Sequence, residues 1–435
     1  MNEILVYTHK ITNRNRFIFH FIFHDVLGVK VKMTMDTDEF NLYNGTKFSY
    51  TNHQLSEELH FQSRSILFET GITEQNITVS EFENTKIFFA TGKNSALPFD
   101  PFAASFYLVS RYEEYLPHIR DIYDRFDAKE SLAFQNGFLQ KPVVDVWAMM
   151  ISVEIKKKFP NFIFPERKYR FVSTIDIDNA YAYKEKGFVR SFGGYFKSIS
   201  QFNFEELKDR IKVIFGSKKD PYDTYDQLLE IQKKNNFESI YFFLLGDYGI
   251  NDKNVPVQSR KFQSLIKSIS DYSKVGIHPS FGSNAKPEKL KIEIKRLQGI
   301  LNAEVSRSRQ HFLKLVFPDT YRNLIEADIK EDYTMGFASS IGFRAGTCTA
   351  FNFYDLDQEI ETKLRIIPFA VMDATLKFYM KVKPEDAINY IHPIIDEVKK
   401  VKGTFISLWH NESMSENKIW KNWSAVYEQM VNEAK

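Results

Sequence analysis

Cysteine is almost absent from this chain. Cys348 is the only cysteine among 435 residues. A single thiol excludes an internal disulfide and any zinc site built from several cysteines. The glycine-rich segments GDYGIND and GFRAGT lack the glycine spacing of a phosphate-binding loop and are typical of turns.

No charge of one sign dominates the chain either. The sequence has 58 Lys and Arg against 56 Asp and Glu, which gives a net charge of +2. A nucleic-acid-binding protein usually shows a concentrated basic face, so this near balance argues against that class.

Long hydrophobic runs are missing as well. The run FIFHFIF at 17–23 has a histidine in its middle and is too short to cross a bilayer. It predicts a strand or a buried helical turn. The N-terminal segment lacks the charged start, apolar centre and small-residue cleavage site of a signal peptide. The sequence therefore predicts a soluble, cytoplasmic protein without a membrane span.

Aromatic residues, in contrast, are abundant, and the chain is long. There are 41 Phe and 22 Tyr, so aromatic packing is expected to supply much of the core. The length favours two domains. Residues 1–165 mix short strand-like runs with a helical stretch, which predicts a smaller α/β domain. The proline-flanked segment Pro160–Arg170 is a candidate linker.

After residue 170, apolar runs of strand length alternate with amphipathic helices. The predicted strands include 171–177, 239–245, 274–278, 303–312, 364–372 and 403–409. Alternation over more than 200 residues predicts a parallel α/β fold for 170–435, either a barrel or a doubly wound sheet.

Polar residues follow several of these strands at their C-terminal ends. In parallel α/β folds these ends share one face of the sheet, which carries the active site. We therefore expect one candidate site made of Asp176, Asp178, His278, Arg309, His311 and His410.

Asp176 and Asp178 lie two residues apart, so their side chains point to the same side of a strand. Two close carboxylates repel unless a cation or a shared proton intervenes. A metal on one would leave the other free as a base. Helix capping is an alternative role for Asp178. An Asp-x-Asp pair also holds the metal of a nucleotide sugar in glycosyltransferases.

The other polar residues have alternatives too. His278 is either a metal ligand or a structural hydrogen-bonding residue. Arg309 either pairs with Asp176 and lowers its pKa, or forms a surface salt bridge. His410 is a candidate general acid or a helix cap.

Four motifs, STIDIDN, GIHPSFGSN, SRQHF and LWH, resemble those of the NodB-homology polysaccharide deacetylases, carbohydrate esterase family 4. The resemblance covers 170–415 and implies a distorted (β/α) barrel. It implies hydrolysis of N- or O-acetyl groups on a saccharide or glycan precursor, with a divalent metal, usually zinc, and with cobalt or nickel as alternatives.

The resemblance also implies roles for individual residues. Asp176 would be the base, held by Arg309, and His410 the general acid. Asp332 in KEDYTMGFA would be an acidic element near that acid. Asp178 and His278 would bind the metal. PFDPFAASFYLVSRYEEYLP, FFLLGDYG and GFRAGT resemble a bacterial subgroup with an extra N-terminal α/β domain.

The second motif departs from the family pattern. Its second metal histidine is missing near Gly282 and Ser283. His311 is then the predicted third ligand, with Ser283 or Asn284 through water as the alternative.

Substrate contacts are expected from Asn179, Tyr181 and Trp409 beside the motifs, although the aromatic rings could equally pack in the core. Two other functions remain open. One is a non-catalytic carbohydrate-binding protein on a degenerate barrel. The other is a metal-dependent glycosyltransferase, which would leave His410 and Arg309 without a role. The oligomeric state is not predicted.

Overall fold

The computed structural model describes residues 2–185 and 204–435. Residues 186–203, which fall inside the predicted domain 170–435, lie outside the described residues. The described part contains two α/β units, each built on its own sheet.

The first unit has a four-stranded parallel sheet in the order β2-β1-β3-β4, with a small antiparallel hairpin β5-β6. Its strands are β1 (Glu3–Thr8), β2 (Lys30–Thr34), β3 (Lys47–Thr51), β4 (Leu59–Gln62), β5 (Ser80–Phe82) and β6 (Thr85–Ile87). Its helices are α1 (Asn13–Phe19), α2 (Thr37–Leu42), α3 (Pro101–Val109), α4 (Leu132–Gln135) and α5 (Val143–Lys158). The FIFHFIF run is helical: it spans the end of α1 and a π-helical turn, His20–Val26.

Helix α3 lies at the centre of this unit. Asp100 caps it by accepting hydrogen bonds from the backbone N–H groups of Phe102 and Ala103. Every residue of the helix is buried, so it is a core helix and not an amphipathic one. Phe102 stacks on Phe48 with ring centroids 5.9 Å apart. The aromatic-rich core expected from the composition is present here.

The second unit has a nine-stranded sheet in the order β12-β13-β11-β10-β9-β8-β7-β15-β14. Its strands are β7 (Arg170–Ile177), β8 (Glu238–Leu244), β9 (Lys274–His278), β10 (Arg307–Ser308), β11 (Glu331–Asp332), β12 (Phe351–Asp355), β13 (Ile360–Ile366), β14 (Val371–Met372) and β15 (Thr404–His410). All neighbours pair in parallel except β12 and β13.

The helices of the second unit follow the strands, as the alternation predicts. They are α6 (Phe204–Ile214), α7 (Tyr225–Asn235), α8 (Arg260–Ser270), α9 (Pro287–Leu301), α10 (Asp319–Glu326), α11 (Pro384–Lys400) and α12 (Trp423–Ala434). The prediction of an α/β fold with a mainly parallel sheet is confirmed.

The predicted barrel is not closed. The strands follow the cyclic order of a barrel, with first strand β7 beside last strand β15. The two edge strands, β12 and β14, however, are not joined by any strand pairing among the described residues. The predicted strand 364–372 splits here, because Pro368 has no N–H to donate to a ladder.

The predicted strand 303–312 is likewise too long, since only Arg307–Ser308 pair in the sheet. The chain then enters a short turn, His311–Leu313, in which Phe312 has φ 60°. This bend directs the residues after Ser308 over the end of the sheet.

The two units share one core. A single cluster of buried hydrophobic side chains includes residues of both, such as Phe102 and Trp409. Buried ion pairs cross the junction: Glu114 of the first unit binds Arg344 of the second. Cys348 lies nearby and is buried, and a Cβ at Gly403 would stand only 2.3 Å from its Sγ.

Within the described ranges, no helix combines the length and apolar character needed to cross a membrane.

Candidate active site

The candidate site lies at the C-terminal ends of the central parallel strands. Asp176 on β7 pairs in register with His410 on β15, and His278 ends β9. These strands and β8 between β7 and β9 run parallel, so their C-terminal residues lie at the same edge of the sheet. Gly276 allows the close approach of β9, since a Cβ there would stand 2.6 Å from the Phe242 ring.

These side chains surround one cavity of about 480 Å³. Five of the predicted site residues line it: Asp176, Asp178, His278, His311 and His410. A cavity of this size is within the range of small-molecule sites, roughly 300–1,000 Å³.

Asp178 is the centre of the polar cluster. Its Oδ1 lies 3.1 Å from Nε2 of His278, and its Oδ2 lies 3.3 Å from Nε2 of His311. The three residues present ligand atoms within 4.8 Å of one another, which is the arrangement of a metal site. Two histidines and one carboxylate are a common ligand set for catalytic zinc.

The outer nitrogens of both histidines are fixed by hydrogen bonds. Nδ1–H of His278 donates to the carbonyl of Arg309 at 2.5 Å. Nδ1–H of His311 donates to Oδ1 of Asp252 at 2.9 Å. Such bonds orient metal-binding histidines and select the tautomer whose Nε2 lone pair points at the ion.

The electrostatics of the cluster also fit a cation. Nδ1–H of His278 is used by Arg309, and its Nε2 points at Oδ1 of Asp178 from 3.1 Å. This buried oxygen has no hydrogen-bond partner among the described residues. An imidazole nitrogen and a carboxylate oxygen at this distance require a proton or a cation between them. The ligand set therefore fits a divalent metal.

The contact between His311 and Asp178 shifts the pKa of both residues. Burial lowers the pKa of His311, but the negative charges of Asp178 and Asp252 outweigh it and raise the pKa to about 9. Burial opposes ionisation of Asp178, yet the neighbouring histidines hold its pKa well below the usual range. Asp178 is thus ionised at neutral pH.

Asp176 is held by Arg309. Nη1 of Arg309 donates to Oδ1 of Asp176 at 3.1 Å and to Oγ1 of Thr174 at 2.6 Å. The guanidinium is fully buried and lies over the Phe242 ring at 4.9 Å. Burial lowers the pKa of Arg309, but arginine stays charged at neutral pH. The guanidinium therefore fixes the position of the Asp176 carboxyl group.

His410 is held by a second carboxylate, Asp373. Nδ1–H of His410 donates to Oδ1 of Asp373 at 2.8 Å, and the His410 backbone N–H donates to Oδ2. Burial lowers the pKa of His410, but the charge of Asp373 outweighs this and raises it to about 10. Its Nε2 lies 3.7 Å from Oδ2 of Asp178, so the imidazolium faces the metal cluster.

Asp332 does not reach the cavity. Its carboxylate is fully buried and accepts hydrogen bonds from Ser308 and Thr334. Burial raises its pKa to about 6. It lies behind Arg309 rather than beside His410, which corrects its expected position.

The three expected substrate contacts also lie outside the cavity lining. Trp409 is fully buried and packs against Tyr427 at 5.1 Å, because it points to the opposite face of β15 from His410. It has no free face for a sugar, which corrects that prediction. Tyr181 is buried against Tyr225, and Asn179 donates to Glu412.

The loop around Gly282, which lacks the motif histidine, has a different role in this chain. The N–H of Gly282 donates to Oδ2 of Asp252 at 3.1 Å, and the N–H of Phe281 donates to its Oδ1. Asp252 in turn holds His311. The loop thus supports the third histidine instead of supplying one. Ser283 and Asn284 are bonded elsewhere, to Ser280 and to Lys314.

Sequence reasoning missed Asp252 and Asp373. Asp373 directly follows a predicted strand, as the other site residues do, and that signal could have found it. Asp252 lies in a segment interpreted only as a turn. The sequence prediction also missed Tyr123 and Arg125, which belong to the first unit and line the cavity.

Residues 4–160 match a family model described as a family of unknown function, DUF7033. A comparison with curated proteins gives no match. Among solved structures, a candidate polysaccharide deacetylase from Mycobacterium smegmatis is similar at 12% identity and a TM-score of 0.40, over 62% of this chain and 86% of that one.

Two further solved structures are similar with lower TM-scores. A polysaccharide deacetylase from Bacillus cereus has 10% identity and a TM-score of 0.27, over 48% of this chain and 81% of that one. A CE4 family pseudoenzyme from Bacillus anthracis has 13% identity and a TM-score of 0.28, over 60% and 62%. Similarity at this level does not assign an activity, so the side chains of the site carry the functional conclusion.

Proposed function

We propose that this chain is a metal-dependent deacetylase that hydrolyses N- or O-acetyl groups on a saccharide or glycan precursor. The observation that carries the proposal is that three groups of interacting side chains meet at one cavity. These are Asp178 with His278 and His311, Asp176 with Arg309, and His410 with Asp373. The proposed metal is zinc, with cobalt or nickel as alternatives. The proposed fold is a distorted barrel of the deacetylase type, and the proposed location is the cytoplasm.

Asp178, His278 and His311 are the residues that would hold the metal. When bound, a divalent cation supplies Lewis-acid polarisation of the acetyl carbonyl and of a water molecule. The remaining chemistry belongs to the chain's own proton-transfer groups.

Asp176 is the proposed general base. Arg309 donates to one of its oxygens and fixes the carboxylate, which leaves the other oxygen to accept a proton from the attacking water. His410 is the proposed general acid, because its raised pKa keeps Nε2 protonated at neutral pH. As the acetyl C–N or C–O bond breaks, His410 donates its proton to the leaving amine or alkoxide. Acetate and the free amine or hydroxyl are the products.

The first test is acetate release from N-acetylated chitooligosaccharides and from 4-nitrophenyl acetate by the zinc-loaded full chain. We expect Asp176→Asn and His410→Ala each to lower turnover by about 10²–10⁴-fold, the usual contribution of a general acid or base. His392→Ala is the matched control, since His392 is exposed and pairs with Asp396 and Glu433 away from the cavity. Wild-type turnover in Asp176→Asn would remove the base from this mechanism.

The second test measures the metal itself. We expect the wild type to bind zinc stoichiometrically and Asp178→Asn to lose that zinc while the fold is retained. His20, His24 and Asp25 form another group of possible ligands, so His24→Ala is the control that identifies which zinc is counted. Stoichiometric zinc without acetate release from any acetylated sugar would favour the non-catalytic carbohydrate-binding alternative.

A further inference from the structure

The first unit of the chain reaches into the candidate active site. Ile122, Tyr123 and Arg125 line the same cavity as the catalytic cluster, yet they precede the catalytic motifs in sequence and lie in the part that matches the family of unknown function. None of them has a role in the proposed chemistry.

Arg125 joins three parts of the cavity wall. Its Nη1 donates to the carbonyl of Phe312 at 2.7 Å, and its Nη2 donates to Oη of Tyr379 at 3.1 Å. Its Nε donates to Oδ2 of Asp121 at 2.8 Å, which balances its charge. Each of its three nitrogens donates to a group of the protein, so Arg125 acts as a positioning residue.

Asp121 shapes the segment that carries these residues. Its Oδ1 accepts the backbone N–H groups of Tyr123 and Arg125. Ile122, between its two anchors, is 91% exposed at the edge of the cavity. Its side chain therefore stands at the cavity mouth beside Tyr123, where a ligand in the cavity can contact it.

The opposite wall has a constrained backbone. Phe312 and Leu313 have φ values of 60° and 54°, a region that side chains larger than glycine rarely adopt. Phe312 directly follows the proposed ligand His311, and its carbonyl is the one that Arg125 holds. The first unit thus maintains a strained turn in the second.

Aromatic rings surround this arginine. The guanidinium carbon of Arg125 lies 4.8 Å from the Tyr123 ring centre and 5.7 Å from that of Tyr379. Tyr123 and Phe312 have ring centroids 4.8 Å apart. Phe378 and Tyr379 are half-exposed at the same mouth. Aromatic and aliphatic side chains at the cavity mouth therefore lie beside the polar catalytic residues.

We propose that Ile122 and Tyr123, with Phe312 and Tyr379, form a binding subsite for the pyranose ring next to the acetylated residue of a saccharide. This inference rests on the proposed function. A pyranose ring has an apolar C–H face and a polar edge, and fixed aromatic rings beside hydrogen-bonding groups match both. The segment from the first unit thereby sets the length of saccharide that the enzyme prefers.

The test compares binding of N-acetylglucosamine and of tri-N-acetylchitotriose to the zinc-loaded full chain by calorimetry. We expect Tyr123→Ala to weaken trisaccharide binding about 3- to 10-fold, the effect of one aromatic contact, and to leave monosaccharide binding unchanged. Ile119→Ser is the matched control: Ile119 is 72% exposed in the same segment but does not line the cavity.

Arg125→Met tests the positioning role. We expect it to weaken trisaccharide binding as Tyr123→Ala does, and to raise KM for the trisaccharide by a larger factor than it lowers kcat for 4-nitrophenyl acetate. Trisaccharide binding equal to wild type in Tyr123→Ala, or a wild type that binds neither saccharide, would overturn the subsite. Saccharide binding with zinc bound but without acetate release would reject the deacetylase function and leave the subsite standing.

Discussion

At the scale of single residues, the charge state of His410 depends chiefly on Asp373. Burial lowers the pKa of this imidazole, but Asp373, with smaller contributions from Asp178 and Asp176, raises it to about 10, against its ordinary value of 6.5. A raised histidine pKa contributes stability below pH 6.5 and loses that contribution as the pH rises through about 10. The same shift keeps the proposed acid protonated throughout the neutral range.

Replacing Asp373 by Asn therefore tests the assignment of the acid. We expect the alkaline decline of kcat to move to lower pH by about 1–3 units, because the neutral amide no longer stabilises the imidazolium. The measurement is the pH profile of acetate release by zinc-loaded protein. Asp396→Asn is the control, since Asp396 contacts the exposed His392 in a similar pair. An unchanged alkaline limb in Asp373→Asn would contradict the role of His410.

Asp252 provides the corresponding test of the metal site. It orients His311 and accepts two backbone N–H groups from the loop that lacks the motif histidine. We expect Asp252→Asn to weaken zinc binding about 10–100-fold, measured by competition with a chelating dye. Asp247→Asn, in the same loop but exposed and paired with Arg296, should bind zinc as the wild type does. Equal affinities in both variants would exclude Asp252 from the site.

At the scale of elements, the sequence predicts a site residue wherever a buried strand runs directly into it. Asp176, His278 and His410 each end an apolar run, and periodicity is a local signal. The positions of the residues after β10 are set by a two-residue strand and a strained turn. No local sequence pattern specifies either of them. Asp252 was missed for a related reason: its role depends on contact with His311, 59 positions away.

Asp332 also ends a strand, β11, but its carboxyl group is fully buried. Burial raises its pKa from 3.8 to about 6, so the folded state binds more protons than the unfolded state between these values. The unfolding free energy therefore falls as the pH rises from about 4 to 6, by about 2–3 kcal/mol at about 1.4 kcal/mol per pKa unit.

We expect Asp332→Asn to remove this decline, because the amide stays neutral and can still bond to Ser308 and Thr334. Urea unfolding of metal-free protein at pH 4 and pH 6.5 measures it. Asp100 has a similarly raised pKa, so the difference between variant and wild type isolates Asp332. The exposed Asp328→Asn should keep the wild-type decline, and a wild-type decline in Asp332→Asn would contradict the assignment.

At the scale of the whole molecule, the sequence predicts two domains divided near residue 170 but not how they are joined. In the structure the four-stranded sheet and the hairpin precede residue 170, and the nine-stranded sheet follows it. Their shared core and the contact of Arg125 with Phe312, 187 positions apart, arise from packing between distant segments. Hydrophobic periodicity identifies which face of an element is buried but not which partner covers it.

The junction should consequently make unfolding cooperative. Glu114 pairs with Arg344 and Arg111, and all three side chains are almost fully buried. We expect Glu114→Gln to lower the unfolding free energy by about 3–5 kcal/mol, because it leaves buried guanidinium charge without its partner. Glu154→Gln, which breaks a surface pair with Lys157, should cost about 1 kcal/mol or less.

Hydrogen exchange in β1 and in β7 shows whether both sheets respond. We expect protection to fall together in the two strands of Glu114→Gln, because one core supports both. Loss of protection in β1 alone would mean that the units unfold separately.

The burial of Cys348 has a practical consequence. The thiol is enclosed where the two units meet, and its low-dielectric surroundings hold its pKa well above the usual range, so it is neither accessible nor ionised. A maleimide dye can then attach only when this junction separates. The native chain thus has a built-in chemical reporter, whose labelling rate records how often its two halves part.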